Sequence, residues 1–229
     1  MCGKRKNIIV KFRNDFNSVT LKNFTANELN LLLAISSKVL NAGTSEVEFS
    51  FIELKKMIKL NKNYTNEEFA EEIISVNRKL LMLNFELTNE ANDVIQFALF
   101  NTFITSKSRK TLTVSVNSRF EFLLNDLTAN FTKFELEEFV AIKNIYAKEC
   151  YRRLKQFRST GYWRVSFENF REILDIPKGY RTCHVNDKVL KPIKRELSIY
   201  FGNLNIIKIK SNEAGNPITH LEFLFDKEK

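Results

Sequence analysis

An eleven-residue pattern occurs twice in this 229-residue chain, as Ser50–Leu60 and again as Ser166–Ile176, an offset of 116 positions (166 − 50). Each copy begins with serine, a good helix N-cap, and then places apolar residues at the spacing of a short amphipathic helix. A strand-like stretch precedes each copy, Val47–Phe49 in the first and Trp163–Val165 in the second. Because self-similarity at a fixed offset is typical of repeated units, the chain is predicted to contain two related modules.

The composition limits the class of protein. Hydrophobic residues make up 44% of the chain, which is enough for a core in each module, and the formal net charge of +9 favours a polyanionic partner. Charge alone does not separate DNA from RNA, an anionic membrane or an acidic protein. Three cysteines without CxxC spacing indicate neither a disulfide framework nor a zinc ribbon. With no apolar stretch near the roughly 20 residues of a membrane span, a soluble cytoplasmic protein without membrane contact is expected.

The order of predicted elements is the same in both modules: helix, strand, repeat helix, third helix and strand hairpin. In the first module the segments around the repeat are Thr25–Leu40, Val47–Phe49, a helix capped by Thr65, Leu83–Leu87, Val94–Ile104 and Thr111–Val116. In the second they are Phe139–Phe157, a strand at Trp163, Cys183–Tyr200, Asn205–Lys210 and Ile218–Asp226. This order is that of a winged helix, whose third helix enters a DNA groove.

The predicted fold class is therefore α+β, with two tandem winged-helix domains related by internal duplication. The N-terminal domain is expected over residues 1–130, including a partly helical connector, and the C-terminal domain over residues 131–229. Adding 116 to Thr65 gives Arg181, so the third helices are expected to stay in register.

The third helix of the second module carries a cationic stripe. His184, Lys188, Lys191 and Arg195 share one face, whereas Val185, Val189, Ile193 and Leu197 are spaced to face inward. Such a stripe is either a solvated helix face or a groove-reading surface, and the winged-helix order favours the second. The basic side chains would contact phosphates or guanine edges, and Asn186 near the helix start would read adenine. Pro192 is expected to bend the helix axis.

Other candidate DNA contacts are basic residues of the second module: Arg181, Lys194, Lys208, Lys210, Lys148 and Arg152. For Lys148 and Arg152, on the helix expected over Phe139–Phe157, a solvated face is an equally good interpretation.

The first module is less basic on the corresponding face, because four glutamates crowd the opening turns of its third helix. These acids also stabilise the positive end of the helix dipole, which is the simpler explanation of their position. The candidate DNA contacts lie elsewhere, and they are Lys62, Asn63, Arg78, Lys79, Lys107, Arg109 and Lys110. We expect the second module to dominate affinity, which leaves the first for a weaker contact, for dimerisation, or for both.

The sequence contains few of the residue patterns that indicate an enzyme. The only histidines, His184 and His220, lie on different elements, and no GxxxxGK[ST] phosphate loop is present. Cys183 beside His184 lacks a third partner for metal or thiol chemistry. We expect a protein that is not an enzyme and needs no cofactor or metal; a carboxylate-based nuclease stays an alternative, because sequence does not show which acids converge.

A recognisable order of motifs runs through the second module, in the segments Ile145–Phe157, Trp163–Ile176 and Val189–Leu197. In this order the chain resembles the replication initiator (Rep) proteins of iteron-containing plasmids. It matches their aromatic-rich helix, strand with a short "Leu-Gly-Ile"-type helix, tyrosine (here Tyr180) and "Val-Leu-x-Pro-Ala" recognition helix. Ile193 stands where alanine is usual, and Asp175 replaces the common glycine. The resemblance covers nearly the whole chain, more diffusely before residue 130.

The resemblance implies binding of directly repeated double-stranded DNA sites at a plasmid origin, local strand opening and recruitment of host replication proteins. It also implies a homodimer that represses its own promoter through an inverted repeat, a monomer that initiates, and a dimer surface on the first module. Two alternatives remain at this point. One is a winged-helix transcriptional repressor without an initiation role, and the other is a winged-helix scaffold whose basic surface meets an acidic protein.

Overall fold

The computed structural model describes residues 7–18, 21, 23–39, 42, 45–60, 64–88, 91–118 and 130–228. Contacts divide the described chain into two compact units. The first takes its residues from Met1–Val19, Asn27–Phe131 and Glu135–Val140, and the second from Thr20–Ala26, Thr132–Phe134 and Ala141–Lys229. No helix in these described segments is long and apolar enough to cross a bilayer.

The part of the chain before residue 142 contains four α-helices, one short 3-10 helix and seven strands among the described residues. They are β1 (Ile9–Arg13), a short 3-10 helix (Asn14–Ser18), α1 (Ala26–Val39), β2 (Val47–Ser50), α2 (Phe51–Met57), α3 (Asn66–Leu81), β3 (Asn84–Thr88), β4 (Val94–Ala98), β5 (Phe100–Ser106), β6 (Thr111–Val116), β7 (Phe131–Glu135) and α4 (Leu136–Ala141).

An antiparallel sheet of order β2-β6-β5 carries the wing of the first unit, and Phe49 lies opposite Leu112 in it. The strand expected over Val94–Ile104 is instead two strands, because the chain turns at the buried Leu99. β4 pairs with β3, whereas β5 pairs with β6. The first unit therefore carries an additional hairpin, β3-β4, between its third helix and its wing.

The second unit repeats the winged-helix order. Its elements are α5 (Ile145–Gln156), β8 (Tyr162–Ser166), α6 (Phe167–Ile173), α7 (Thr182–Val185), a π-helical segment (Asn186–Leu190), α8 (Lys191–Leu197), β9 (Asn205–Lys210) and β10 (Ile218–Leu224). The sheet order is β8-β10-β9. The single helix expected over Phe139–Phe157 is two helices, since Asn144 caps a new one by accepting the Ala147 N–H at 3.1 Å. We call the continuous helix of α7, the π segment and α8 the reading helix.

The repeat has the same local structure in both units. α2 and α6 differ by 116 positions at both ends. Ser50 Oγ accepts the Glu53 N–H and Ser166 Oγ accepts the Asn169 N–H, each at 3.1 Å. Two tandem winged-helix domains are thereby confirmed.

The register of the third helices changes midway. α3 buries Phe69, Ile73, Val76 and Leu80, and the reading helix buries Val185, Val189, Ile193 and Leu197. The two helices begin and end 116 positions apart, as expected from the sequence. The first two buried pairs are also 116 positions apart but the last two are 117, so the buried face shifts by one residue after Val189. The π segment accounts for this shift of the buried face, because the Lys191 N–H bonds to the carbonyl of Asn186, five residues earlier. This turn directly precedes Pro192, which has no N–H to donate.

Candidate nucleic-acid interface

The reading helix separates apolar from basic side chains as the sequence predicts. Its four inward residues are fully buried, whereas Lys188, Lys191, Lys194 and Arg195 are exposed. Apolar contacts therefore hold the helix on the core while four cations face solvent.

The start of the reading helix is held by side chains. The Arg181 N–H donates to Nδ1 of His184 at 3.3 Å, and the ring of His184 lies edge-on to Tyr180 with centroids 5.7 Å apart. Lys188 Nζ lies 5.0 Å from the centroid of the Tyr180 ring. His184 is half-buried and caps the helix, so it differs from the exposed members of the predicted stripe. Arg181 itself is exposed.

A chain of polar contacts links the wing to the reading helix. Lys208 Nζ on β9 donates to Oδ1 of Asn186 at 2.5 Å, and Nδ2 of Asn186 donates to Oδ1 of Asp187 at 3.2 Å. Asp187 in turn lies 2.7 Å from Lys191 Nζ. Hydrogen bonds from Lys191 and then Asn186 lower the pKa of the Asp187 carboxyl. Lys208 of the wing thereby holds one side of the Asn186 amide, which is the candidate base-reading group. Lys210, further along β9, is exposed.

The turn before the reading helix is fixed by Arg171, which sequence reasoning missed. Its guanidinium donates to the carbonyl oxygens of Tyr180 and Pro177, each at 2.9 Å, and to that of Lys178 at 3.2 Å. At the other end of the helix, Oε2 of Glu196 accepts the N–H groups of Lys143 at 2.8 Å and Asn144 at 3.0 Å. Both ends of the helix are therefore tied to neighbouring backbone.

Lys148 and Arg152 are corrected as candidate DNA contacts, because both side chains are buried at 0% exposure. All nine residues from Ala147 to Lys155 on α5 are buried, so this helix has no solvated face there. Arg152 pairs with Glu149 at 2.7 Å. Burial, and then the charge of Lys143, lower the pKa of Lys148 to about 7. A side chain enclosed in this way cannot reach a duplex while α5 stays packed.

Several basic candidates of the first unit are held by its own acids. Lys79 Nζ binds both carboxylate oxygens of Glu28 at 2.8 and 2.9 Å. Lys107 at the wing tip pairs with Glu71, and Arg109 lies 3.7 Å from the carboxylate of Glu48. The hydrogen bond and then the charge of Lys107 lower the pKa of Glu71.

The remaining first-unit candidates fall into two groups. Arg78 on α3 and Lys110 at the wing tip are exposed, and Lys110 has a left-handed backbone with φ of 56°. Lys62 and Asn63 lie outside the described residues. Among the described residues, Arg78 and Lys110 of the first unit lie in no ion pair, and neither do Lys188 and Lys194 of the reading helix. Lys191 pairs with Asp187, and Arg195 lies 3.4 Å from the carboxylate of Glu196.

Both units match known family models. Residues 9–155 match the family described as "Initiator Replication protein, WH1", and residues 166–225 match the one described as "Initiator Rep protein, WH2". A protein of Bifidobacterium longum (strain NCC 2705) named "Probable replication protein rep" is 46% identical over 224 residues, which is 97% of this chain and 74% of that protein.

Two solved structures share the fold at low sequence identity. The crystal structure of the Pi initiator protein in complex with iteron DNA has a TM-score of 0.71 at 15% identity, over 98% of this chain and 99% of that one. The structure of domains 2 and 3 of RctB has a TM-score of 0.53 at 12% identity, over 90% of this chain and 84% of that one. At these identities the likeness concerns the fold alone.

Proposed function

The chain belongs to the family of initiator replication proteins with two winged-helix domains, and from this premise we propose that it initiates plasmid replication by binding repeated double-stranded DNA sites at an origin. The observation that carries the proposal is the reading helix. Its buried stripe fixes the helix on the core, and Lys188, Lys191, Lys194 and Arg195 are left exposed for phosphates and base edges.

The wing supports the same proposal. Because Lys208 holds the Asn186 amide, the side chain proposed to read a base is oriented before DNA arrives. Ordering in advance lowers the entropic cost of binding. Asn186 is suited to a bidentate contact with adenine, whereas the lysines contact phosphates without regard to sequence.

The two units are proposed to contribute unequally. The second unit supplies most phosphate contacts, since more of its described candidate cations are exposed and outside ion pairs. They are Arg181, Lys188, Lys194, Lys208 and Lys210, against Arg78 and Lys110 in the first unit. The first unit adds a weaker contact or a dimer surface. The relative named as a Pi initiator was crystallised with iteron DNA, which favours directly repeated sites for this chain as well.

Family membership supports a proposal for the steps after DNA binding as well. We infer that the protein opens the origin locally, recruits host replication proteins and represses its own promoter as a dimer, in the cytoplasm. It would do so without catalytic activity of its own and without a cofactor. A rival role as a plain repressor shares the DNA contacts and differs only in these later steps.

Footprinting of the full-length protein on the DNA flanking its gene tests the proposal. Directly repeated protected sites, spaced by about 20 base pairs or two helical turns, are expected. Protection of an inverted repeat alone, together with failure to sustain a plasmid that carries the flanking DNA, would indicate a repressor. Complete absence of protection would overturn DNA binding and favour the scaffold role.

A further inference from the structure

Asp187 of the reading helix and Glu71 of α3 occupy the same position in the two units. They are 116 positions apart, in the part of the helices where the register is constant. Each lies midway between two buried residues that are four positions apart, Phe69 and Ile73 around Glu71 and Val185 and Val189 around Asp187. Two residues correspond to about 200° around an α-helix, so both carboxylates point away from the core. Their side chains are 58% and 62% exposed.

Each carboxylate binds a lysine of its own unit. Asp187 lies 2.7 Å from Lys191 Nζ, one turn further along the helix. Glu71 pairs with Lys107 at the tip of the wing. In each unit, therefore, one acid neutralises one cation on the surface proposed to face DNA.

The helix dipole explains the first-turn acids Glu67 and Glu68 of α3, but it does not explain Glu71 or Asp187. The helix dipole acts within the first turn, and Glu71 and Asp187 are the sixth residues after the N-caps Thr65 and Arg181. Glu68 in the first turn of α3 already completes a capping box with Thr65. Exposed ion pairs such as these contribute little to stability.

A carboxylate in a DNA groove is unfavourable beside phosphates unless it meets a hydrogen-bond donor. In the major groove the base edges present donors only at the N4 amino group of cytosine and the N6 amino group of adenine. A carboxylate has only acceptors, so it suits cytosine, whereas adenine offers a donor beside an acceptor and suits an amide such as Asn186.

We propose that Asp187 and Glu71 are specificity-determining residues, each of which accepts a hydrogen bond from the N4 amino group of one cytosine in the major groove. The inference rests on the proposed function. On cognate DNA the carboxylate exchanges its lysine for the cytosine, which releases Lys191 or Lys107 to a nearby phosphate. On other sequences the carboxylate faces hydrogen-bond acceptors of the bases and is repelled by them. It therefore raises specificity by weakening complexes with DNA that lacks the cytosine.

The test uses the full-length protein and the protected repeat found by footprinting. Each base pair of the repeat is replaced in turn, and the dissociation constant is measured at one fixed salt concentration for wild type, Asp187→Asn and Glu71→Gln. For wild type, replacing either cytosine is expected to weaken binding about 5- to 150-fold. Asp187→Asn should lose this discrimination at one position only, and Glu71→Gln at a second position. Both variants should bind random-sequence DNA more tightly, because each has lost a negative charge.

Two substitutions serve as charge-matched controls. Glu67→Gln removes an exposed acid from the first turn of α3, and Glu172→Gln removes one from α6. Both should keep the wild-type profile at every position of the repeat. The inference is overturned if Asp187→Asn and Glu71→Gln also keep that profile while wild type binds the repeat specifically. Failure of wild type to recognise any repeat would instead overturn the proposed function.

Discussion

The guanidinium of Arg171 donates a hydrogen bond of 2.9 Å to the carbonyl oxygen of Tyr180, and this contact has a counterpart in the other unit. There, 116 positions earlier, Lys55 Nζ donates to the carbonyl of Tyr64 at 3.1 Å. In both units a basic side chain of the repeat helix thus holds the last residues before the third helix. The duplicated pattern positions the third helix through this bond as well as through apolar packing.

Replacing Arg171 should therefore weaken DNA binding indirectly. Arg171→Ala removes three hydrogen bonds to backbone carbonyls of one turn, and we expect it to lower the free energy of unfolding by about 1–3 kcal/mol. Affinity for the repeat should fall while the order of base preferences stays the same. Urea unfolding and binding titrations measure the two effects. Arg171→Lys, which copies Lys55, should recover most of the affinity; equal loss in both variants would contradict a positioning role.

Asn186→Ala should change base preference at one position of the repeat, because the amide is proposed to read adenine. Lys208→Ala should weaken the same preference partially, since Lys208 holds the amide in place. Selection of binding sites from randomised DNA measures both. Asn169→Ala on α6 is the control, and it should select the wild-type sequence. If Asn186→Ala also selects that sequence, the assignment of the reading residue is wrong.

Lys194 and Lys79 provide a matched pair for salt dependence. Lys194 is exposed on the reading helix, whereas Lys79 of α3 is bound by Glu28. Lys194→Ala should reduce the slope of log K against log salt by about 0.9, the value for one phosphate contact. Lys79→Ala should leave the slope unchanged. Titrations over a range of salt concentrations provide the measurement, and equal slopes for the two variants would contradict the unequal roles of the units.

The buried Lys148 should make stability depend on pH. Its pKa is lowered from 10.5 to about 7 in the folded protein, so between these values the unfolded chain binds more protons and stability rises with pH. Below about pH 7 the folded state carries the full cost of the buried charge. Lys148→Met removes this dependence. The free energy of unfolding of this variant minus that of wild type should be largest at about pH 6 and should fall towards about pH 9. If this difference stays constant across the range, protonation of Lys148 does not destabilise the folded protein.

Asp175 has a left-handed backbone with φ of 50°, and Lys59, 116 positions earlier, has φ of 48°. Glycine adopts this conformation without strain, and glycine is the common residue at the Asp175 position of the family that the chain resembles. Asp175→Gly should therefore be at least as stable as wild type. Asp175→Val should lose about 1–3 kcal/mol, because a β-branched residue is strained at positive φ. Thermal unfolding of the two variants distinguishes these outcomes.

Local patterns predicted the winged-helix elements well. Ser50, Ser166 and Thr65 are N-caps whose side chains accept a backbone N–H three residues later, as their sequence contexts indicate. The apolar spacing of the reading helix also identified its buried face. These features depend on residues within a few positions of one another, which is why one sequence suffices.

Features that depend on distant neighbours were not predictable in this way. The amphipathic pattern of α5 gives no sign that Lys148 and Arg152 are enclosed, because burial depends on what packs against the opposite side of the helix. Likewise, nothing local indicates that Lys79 meets Glu28, 51 positions away, or that Lys208 reaches Asn186. The number of basic residues in the sequence therefore overestimated how many of them can contact DNA.

The π segment also changes how the two copies of the duplication can be compared. Between the buried residues Ile73 and Val76 the first copy has two residues, whereas between Val189 and Ile193 the second has three, Leu190, Lys191 and Pro192. An insertion inside an α-helix would ordinarily rotate everything after it by about 100° and turn the apolar stripe away from the core. Because the wider turn takes up the additional residue, the apolar stripe of the reading helix stays on the core, although α3 (Asn66–Leu81) and the reading helix (Thr182–Leu197) are equally long. The two copies of the duplication thus differ in which positions of an equally long helix face the core, as well as in the charges on the helix surface.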